Sequence, residues 1–168
     1  EWLINYEGGF TKRGLIGQIA INFSELFNYS LRESIFFFQV LSIATYYLLL
    51  ISFFRSIKFN KLILLAIFTP IFLLYPVAEI EVLGRKEIII FYFYLIYLSL
   101  QNFRQKNYFR IFLLPLLILI WEPVVFFFIF WLIVDYLEGV FEKNYKSLIK
   151  YLFTFIPAIS IGIFIALN

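Results

Sequence analysis

The sequence predicts an all-α chain, a polytopic transmembrane helix bundle of about five spans with an interfacial amphipathic helix at its N-terminal end. Three observations carry this. First, 63% of the 168 residues are hydrophobic and 15% charged, against roughly 45–50% and 25% in a globular domain. Second, the apolar residues fall in charge-free runs close to the ~20 residues that a helix needs to cross a bilayer. Third, these runs are continuously apolar, whereas β-barrel strands would alternate over about 9–11 residues. Fourteen basic and 11 acidic residues are too few to cover a water-soluble surface.

Residues 1–33 are expected to form an extracytoplasmic loop with the interfacial helix in it. The stretch Glu7-Gly8-Gly9-Phe10 reads as a turn. A helix near 14–28 follows, with Leu15, Ile16, Ile19, Ala20, Phe23, Leu26 and Phe27 on one face and Gln18, Ser24, Glu25 and Asn28 on the other. Asn22 sits at the border, and Ile21 is the one apolar residue on the wrong side. That helix is too polar to span and suited to lie in the interface. Ser30-Leu31-Arg32-Glu33 is a capping box placed directly before the first span.

The spans are expected over 34–54, 62–78, 88–103, 111–134 and 151–167, charge-free runs of 21, 17, 16, 24 and 17 residues in which only Glu122 interrupts. Pro70, Pro76, Pro115, Pro123 and Pro157 lie within these runs or at their ends. Membrane helices tolerate proline when neighbours satisfy the freed carbonyls. Gln39, Ser42, Thr45 and Ser52 mark the first span's contact face.

Loop charges set an orientation. Arg55, Lys58 and Lys61, then Arg104, Lys106 and Arg110, give six basic residues in 14 positions and no acid. If the spans alternate, these two loops share the cytoplasmic side. The head, the loop 79–87 and the segment 135–150 then face outward, with eight basic residues in 58 positions and every carboxylate except Glu122.

Several chemistries are excluded. Without Cys or His there is no disulfide, no thiolate site, and neither the commonest general base nor the usual zinc ligand. Metal-ligand spacings and phosphate-binding glycine loops are absent from the sequence too, so neither a metal nor another cofactor is expected. The net charge of +3 reflects membrane topology and gives no support for nucleic-acid binding. No Met occurs and the chain opens at Glu1, so an internal piece of a larger membrane protein is expected, packed against further spans of that same protein.

Two outward segments combine acids with bases. The head offers Glu7, Lys12 and Arg13, and the loop EIEVLGRKE offers Glu79, Glu81, Arg85, Lys86 and Glu87. A carboxylate can accept a proton from an attacking hydroxyl, and Arg or Lys can hold a phosphate leaving group. Solvated charges that merely anchor spans at the head-group level are the plain alternative. Glu122 is a separate anomaly, an acid inside an apolar run and followed by Pro123. Such a residue is a candidate proton carrier or ion ligand, or else a structural contact: protonated and bonded to a neighbouring backbone group or tyrosine, or paired with a base in the missing part of the protein.

The segments NYEGGFTKRGLIG and GRKEIIIF resemble parts of bacterial polytopic surface-polysaccharide assembly proteins, the GT-C-type glycosyltransferases and the O-antigen or exopolysaccharide polymerases. The resemblance implies an enzyme of the bacterial inner (cytoplasmic) membrane acting on a lipid-linked sugar at its outer face. An acid in the first outer loop would be the catalytic base, here Glu7 or Glu1. Lys12, Arg13, Arg85 and Lys86 would contact the lipid phosphate. Two other functions remain open on the residues alone. One is a transporter or flippase that uses Glu122 as a proton or cation site; the other is a non-catalytic membrane subunit.

Overall fold

The computed structural model describes residues 2–56, 79, 81, 84–137 and 145–167. The expected span 62–78 and most of the loop 55–61 lie outside the described residues. All regular structure among the described residues is helical. The chain forms two compact units, one from Glu1–Leu3 with Ile16–Ser99, the other from Ile4–Leu15 with Leu100–Asn168.

The first unit contains α1 (Leu15–Phe27), α2 (Leu31–Ser56) and α3 (Ile88–Ser99). α1 ends at Asn28, which takes the left-handed conformation with φ +54°. The Tyr29 N–H then donates to the Ser24 carbonyl at 3.0 Å, the six-to-one bond of a Schellman stop. The capping box forms as the spacing predicts: the Ser30 N–H and hydroxyl both donate to the Glu33 carboxylate, and the Glu33 N–H donates back to the Ser30 hydroxyl. α1 buries Gly17, Ala20 and Ile21. The apparent misfit Ile21 is therefore part of the protein-facing side, and Ile19, Leu26 and Phe27 are left exposed.

α2 is apolar on every side and, among the described residues, is the one straight helix long and apolar enough to cross a membrane. Ser34, Ser42, Tyr46 and Leu50 form its buried stripe at helical spacing, and α3 packs with it. Phe36, Phe37, Val40, Leu41, Leu48 and Ile51 point outward. Gly84 ties the approach to α3 in place, its carbonyl accepting both the Trp2 indole N–H and the Gln39 amide at 2.9 Å. α3 stops at Ser99, short of the expected 103.

The second unit departs most from expectation. The run 111–134 is not one span. α4 (Phe103–Tyr108), a π turn (Phe109–Leu113) and α5 (Leu114–Ile120) form one continuous helical leg. Pro115 has no N–H and its ring would strike the Ile111 carbonyl, so the helix widens: the Leu114 N–H reaches back five residues to Phe109. Trp121 is extended at φ −155° and ψ 102°. Pro123 cannot donate to the Leu119 carbonyl, and the chain restarts as a 3-10 helix (Glu122–Phe127) leading into α6 (Phe128–Leu137).

This second leg runs back beside the first. Arg110 and Asp135, 25 positions apart, are joined at 2.6 Å, where a straight helix would separate them by about 37 Å. A helical hairpin thus brings both ends of the apolar run to one end of the unit, where a single straight span would have held 104–110 and 135 apart. α7 (Tyr145–Phe153) and α8 (Ile156–Leu167) complete it with a 43° bend. Pro157 causes the bend by denying the Phe153 carbonyl its donor, and α8 packs along α5, the π turn and the 3-10 helix.

Candidate functional site

Each end of this hairpin carries an ion-pair cluster. At the tip, Arg13 donates to Glu122 with both arms of its guanidinium, Nε to Oε2 at 2.6 Å and Nη2 to Oε1 at 2.8 Å. The two side chains are 31% and 30% exposed. The head segment 4–15 delivers Arg13 there. The Asn5 side chain accepts the Glu7 N–H and its carbonyl accepts the Thr11 hydroxyl, an Asx turn that curls the chain. Gly9 then supplies φ +111°, the Gly9 N–H closing on the Tyr6 carbonyl. Phe10 seats edge-on against Phe164 of α8 at 5.1 Å.

Gly14 is required where it stands, because a Cβ there would lie 2.5 Å from the Tyr6 ring. Partial burial pushes the Tyr6 phenol above its usual range. Arg13 itself holds φ +66°, a left-handed conformation that a non-glycine residue adopts at a cost of order 1 kcal/mol. Glu7 and Lys12 are exposed on the same segment.

At the base, Asp135 is fully buried and accepts from three donors: Arg110 Nη1 at 2.6 Å, the Tyr151 hydroxyl at 2.7 Å and Lys106 Nζ at 3.4 Å. Arg110 also donates to the Thr154 hydroxyl at 2.9 Å and to the Asn107 amide oxygen. Its guanidinium lies 4.5 Å from the centre of the Tyr151 ring, a cation–π contact that replaces lost water. Lys106, Arg110 and Asp135 have no exposed side-chain surface.

The sequence-expected residues thus fall out differently. Arg13 and Glu122 meet, although sequence reasoning gave them unrelated roles. Arg85 is exposed and pairs with Glu81, four positions earlier, at 3.3 Å. Lys86, expected on a phosphate, is fully buried in the first unit; a side chain with no accessible surface cannot meet a ligand there. The base cluster was missed, its members having been read as loop charges. The signal was present in the i, i+4 pair Lys106 and Arg110, a lone Asp at the far end of the run, and a Glu-Pro break midway.

Chemically, the tip is an ionic fork open to solvent. Glu122 has both oxygens committed to Arg13, so a proton or cation carried there must first displace the guanidinium. The same fork geometry that fits a carboxylate fits a phosphate. No family model, no curated protein and no solved structure matches the chain.

Proposed function

We propose that the chain is part of a polytopic protein of the bacterial cytoplasmic membrane, a glycosyltransferase or polymerase that acts on lipid-linked sugars at the outer face. The observation that supports this reading is the company Arg13 keeps. One short head segment presents a phosphate-matching guanidinium, the exposed cation Lys12 and the exposed carboxylate Glu7, and the guanidinium's Nε and Nη2 edge already holds an anionic group, the Glu122 carboxylate. In this reading Glu7 is the base that takes the acceptor hydroxyl's proton, and Lys12 and Arg13 hold the lipid phosphate.

The first leg, residues 103–120, carries Arg104, Lys106 and Arg110 near its start, so its charge-free part 111–120 is about 15 Å long, half the ~30 Å hydrocarbon thickness. In this reading the buried Lys106 and Arg110, neutralised by Asp135, extend the hairpin across the membrane, so that it crosses twice where a single span was expected. Its basic end, with Arg104, Lys106, Arg110 and Lys150, belongs in the cytoplasm by the positive-inside rule. The tip and head then face outward, where a lipid-linked sugar presents its phosphate.

The test is transfer against binding in the intact protein. Glu7→Gln is expected to lower transfer by about 100-fold or more while the lipid-phosphate donor still binds. Full transfer by Glu7→Gln in a working polysaccharide-assembly assay would sink the reading.

A further inference from the structure

We propose that Glu122 is an internal stand-in for a phosphate: a phosphate group displaces it from Arg13, and the head segment 4–15 is released from the hairpin tip when it does. This deepens the reading of Arg13 as a phosphate contact and rests on it.

Three observations lead there. The fork of Arg13 that faces Glu122, Nε together with Nη2, is the edge a phosphate would take in the same two-bond arrangement. Access is already provided, since nearly a third of each side chain is exposed. The latch is the more accessible of the two clamps. The tip pair is bidentate but reachable from solvent, so an anion can exchange there without stranding a charge, and Arg13 pays for its place with a left-handed backbone. The Asp135 cluster has no exposed surface, and opening it would strand buried charges. An anion arriving at this unit therefore exchanges at the tip and not at the base. A phosphate carries more charge than the carboxylate it replaces, and the exposed Lys12 is its neighbour on the chain.

The head has room to move at its turn. Gly8 and Gly9 stand in open space, with nothing near where their side chains would be. The ring contact between Phe10 and Phe164 is one of the contacts that keep the head near α8 after the latch opens. A head freed from Glu122 carries Arg13 and Glu7 with the bound phosphate.

The experiment measures binding of inorganic pyrophosphate to the full chain in nanodiscs. Glu122→Gln removes the competitor and is expected to bind roughly tenfold tighter than wild type. Glu122→Asp keeps the charge but shortens the reach, so it too should bind more tightly, which covers the case in which glutamine unsettles the tip. Arg13→Ala is expected to lose binding. Glu25→Gln, which removes the same charge without touching Arg13, sets the baseline for a general electrostatic effect.

A purely structural Glu122 predicts the opposite sign, since loss of the latch would then disorder the site and weaken binding. Unchanged or weaker binding in both Glu122 variants overturns the proposal, as does retained binding in Arg13→Ala or equal tightening in Glu25→Gln. Nanodiscs loaded with a polyprenyl phosphate or with the neutral polyprenol separate the sources. Competition by the phosphate form alone assigns the site to a lipid headgroup, and no competition assigns it to free phosphate. Tightening in Glu122→Gln alongside full transfer by Glu7→Gln would leave the exchange standing and remove the transferase.

Discussion

Asp135 is the residue on which the second unit closes. It accepts from Arg110, Lys106 and Tyr151 with none of its side-chain surface exposed. Removing its charge leaves two buried cations facing a neutral amide, and breaking a buried pair typically costs about 3–5 kcal/mol. Asp135→Asn is accordingly expected to lower the thermal midpoint in detergent sharply. Glu81→Gln, which breaks an exposed pair, should shift it by an amount worth ~1 kcal/mol or less. Equal effects of the two would remove Asp135 from its central place. At this scale the sequence was half legible. Glu122 stood out because an acid in an apolar run is conspicuous, but its partner Arg13 lies 109 positions away. Ile21 looked misplaced because one amphipathic face was assumed where α1 has two apolar contacts, one with protein and one left open.

Among the elements, the capping box and the start of the first span could be read directly, because both rest on local chemistry within four residues. The run 111–134 could not, because hydropathy counts charges and is blind to direction. Its prolines held the missing information. Pro115 forces the π turn and Pro123 ends the helix, so one apolar stretch becomes two legs. The π turn also sets the rotation of Arg110, since each residue added to a helix turns it by about 100°. Pro115→Ala is expected to let the leg revert to regular α-helix and swing Arg110 off Asp135. Its loss of stability should then be non-additive with that of Asp135→Asn, the double variant little worse than the more severe single one. Full additivity would show that the proline and the ion pair act separately.

For the molecule as a whole, the hairpin makes a statement about sides. Positions 104 and 136 lie toward the same end of the second unit, and position 12 lies beside Arg13 at the other. The chain has no native cysteine, so single cysteines can report this cleanly. In right-side-out vesicles an impermeant maleimide is expected to label position 12, while 104 and 136 stay protected until the membrane is opened. Opposite behaviour of 104 and 136 would restore a single crossing at 111–134. The class was legible, a helical chain with a span-length apolar helix, because composition and run length decide that much. The reversal within 111–134 was not, because it depends on contacts between distant segments.

The latch between Arg13 and Glu122 also has a consequence in time. Its halves are separated by 109 positions of chain, and synthesis proceeds at about 5–20 residues per second. Arg13 is therefore added to the chain roughly 5–20 s before its carboxylate partner. For that interval, long compared with the microseconds in which a helix forms, the head's two cations face whatever anion the nascent chain meets first. If the chain inserts co-translationally, as the proposed function requires, anionic lipid headgroups are within reach of the head before Glu122 is.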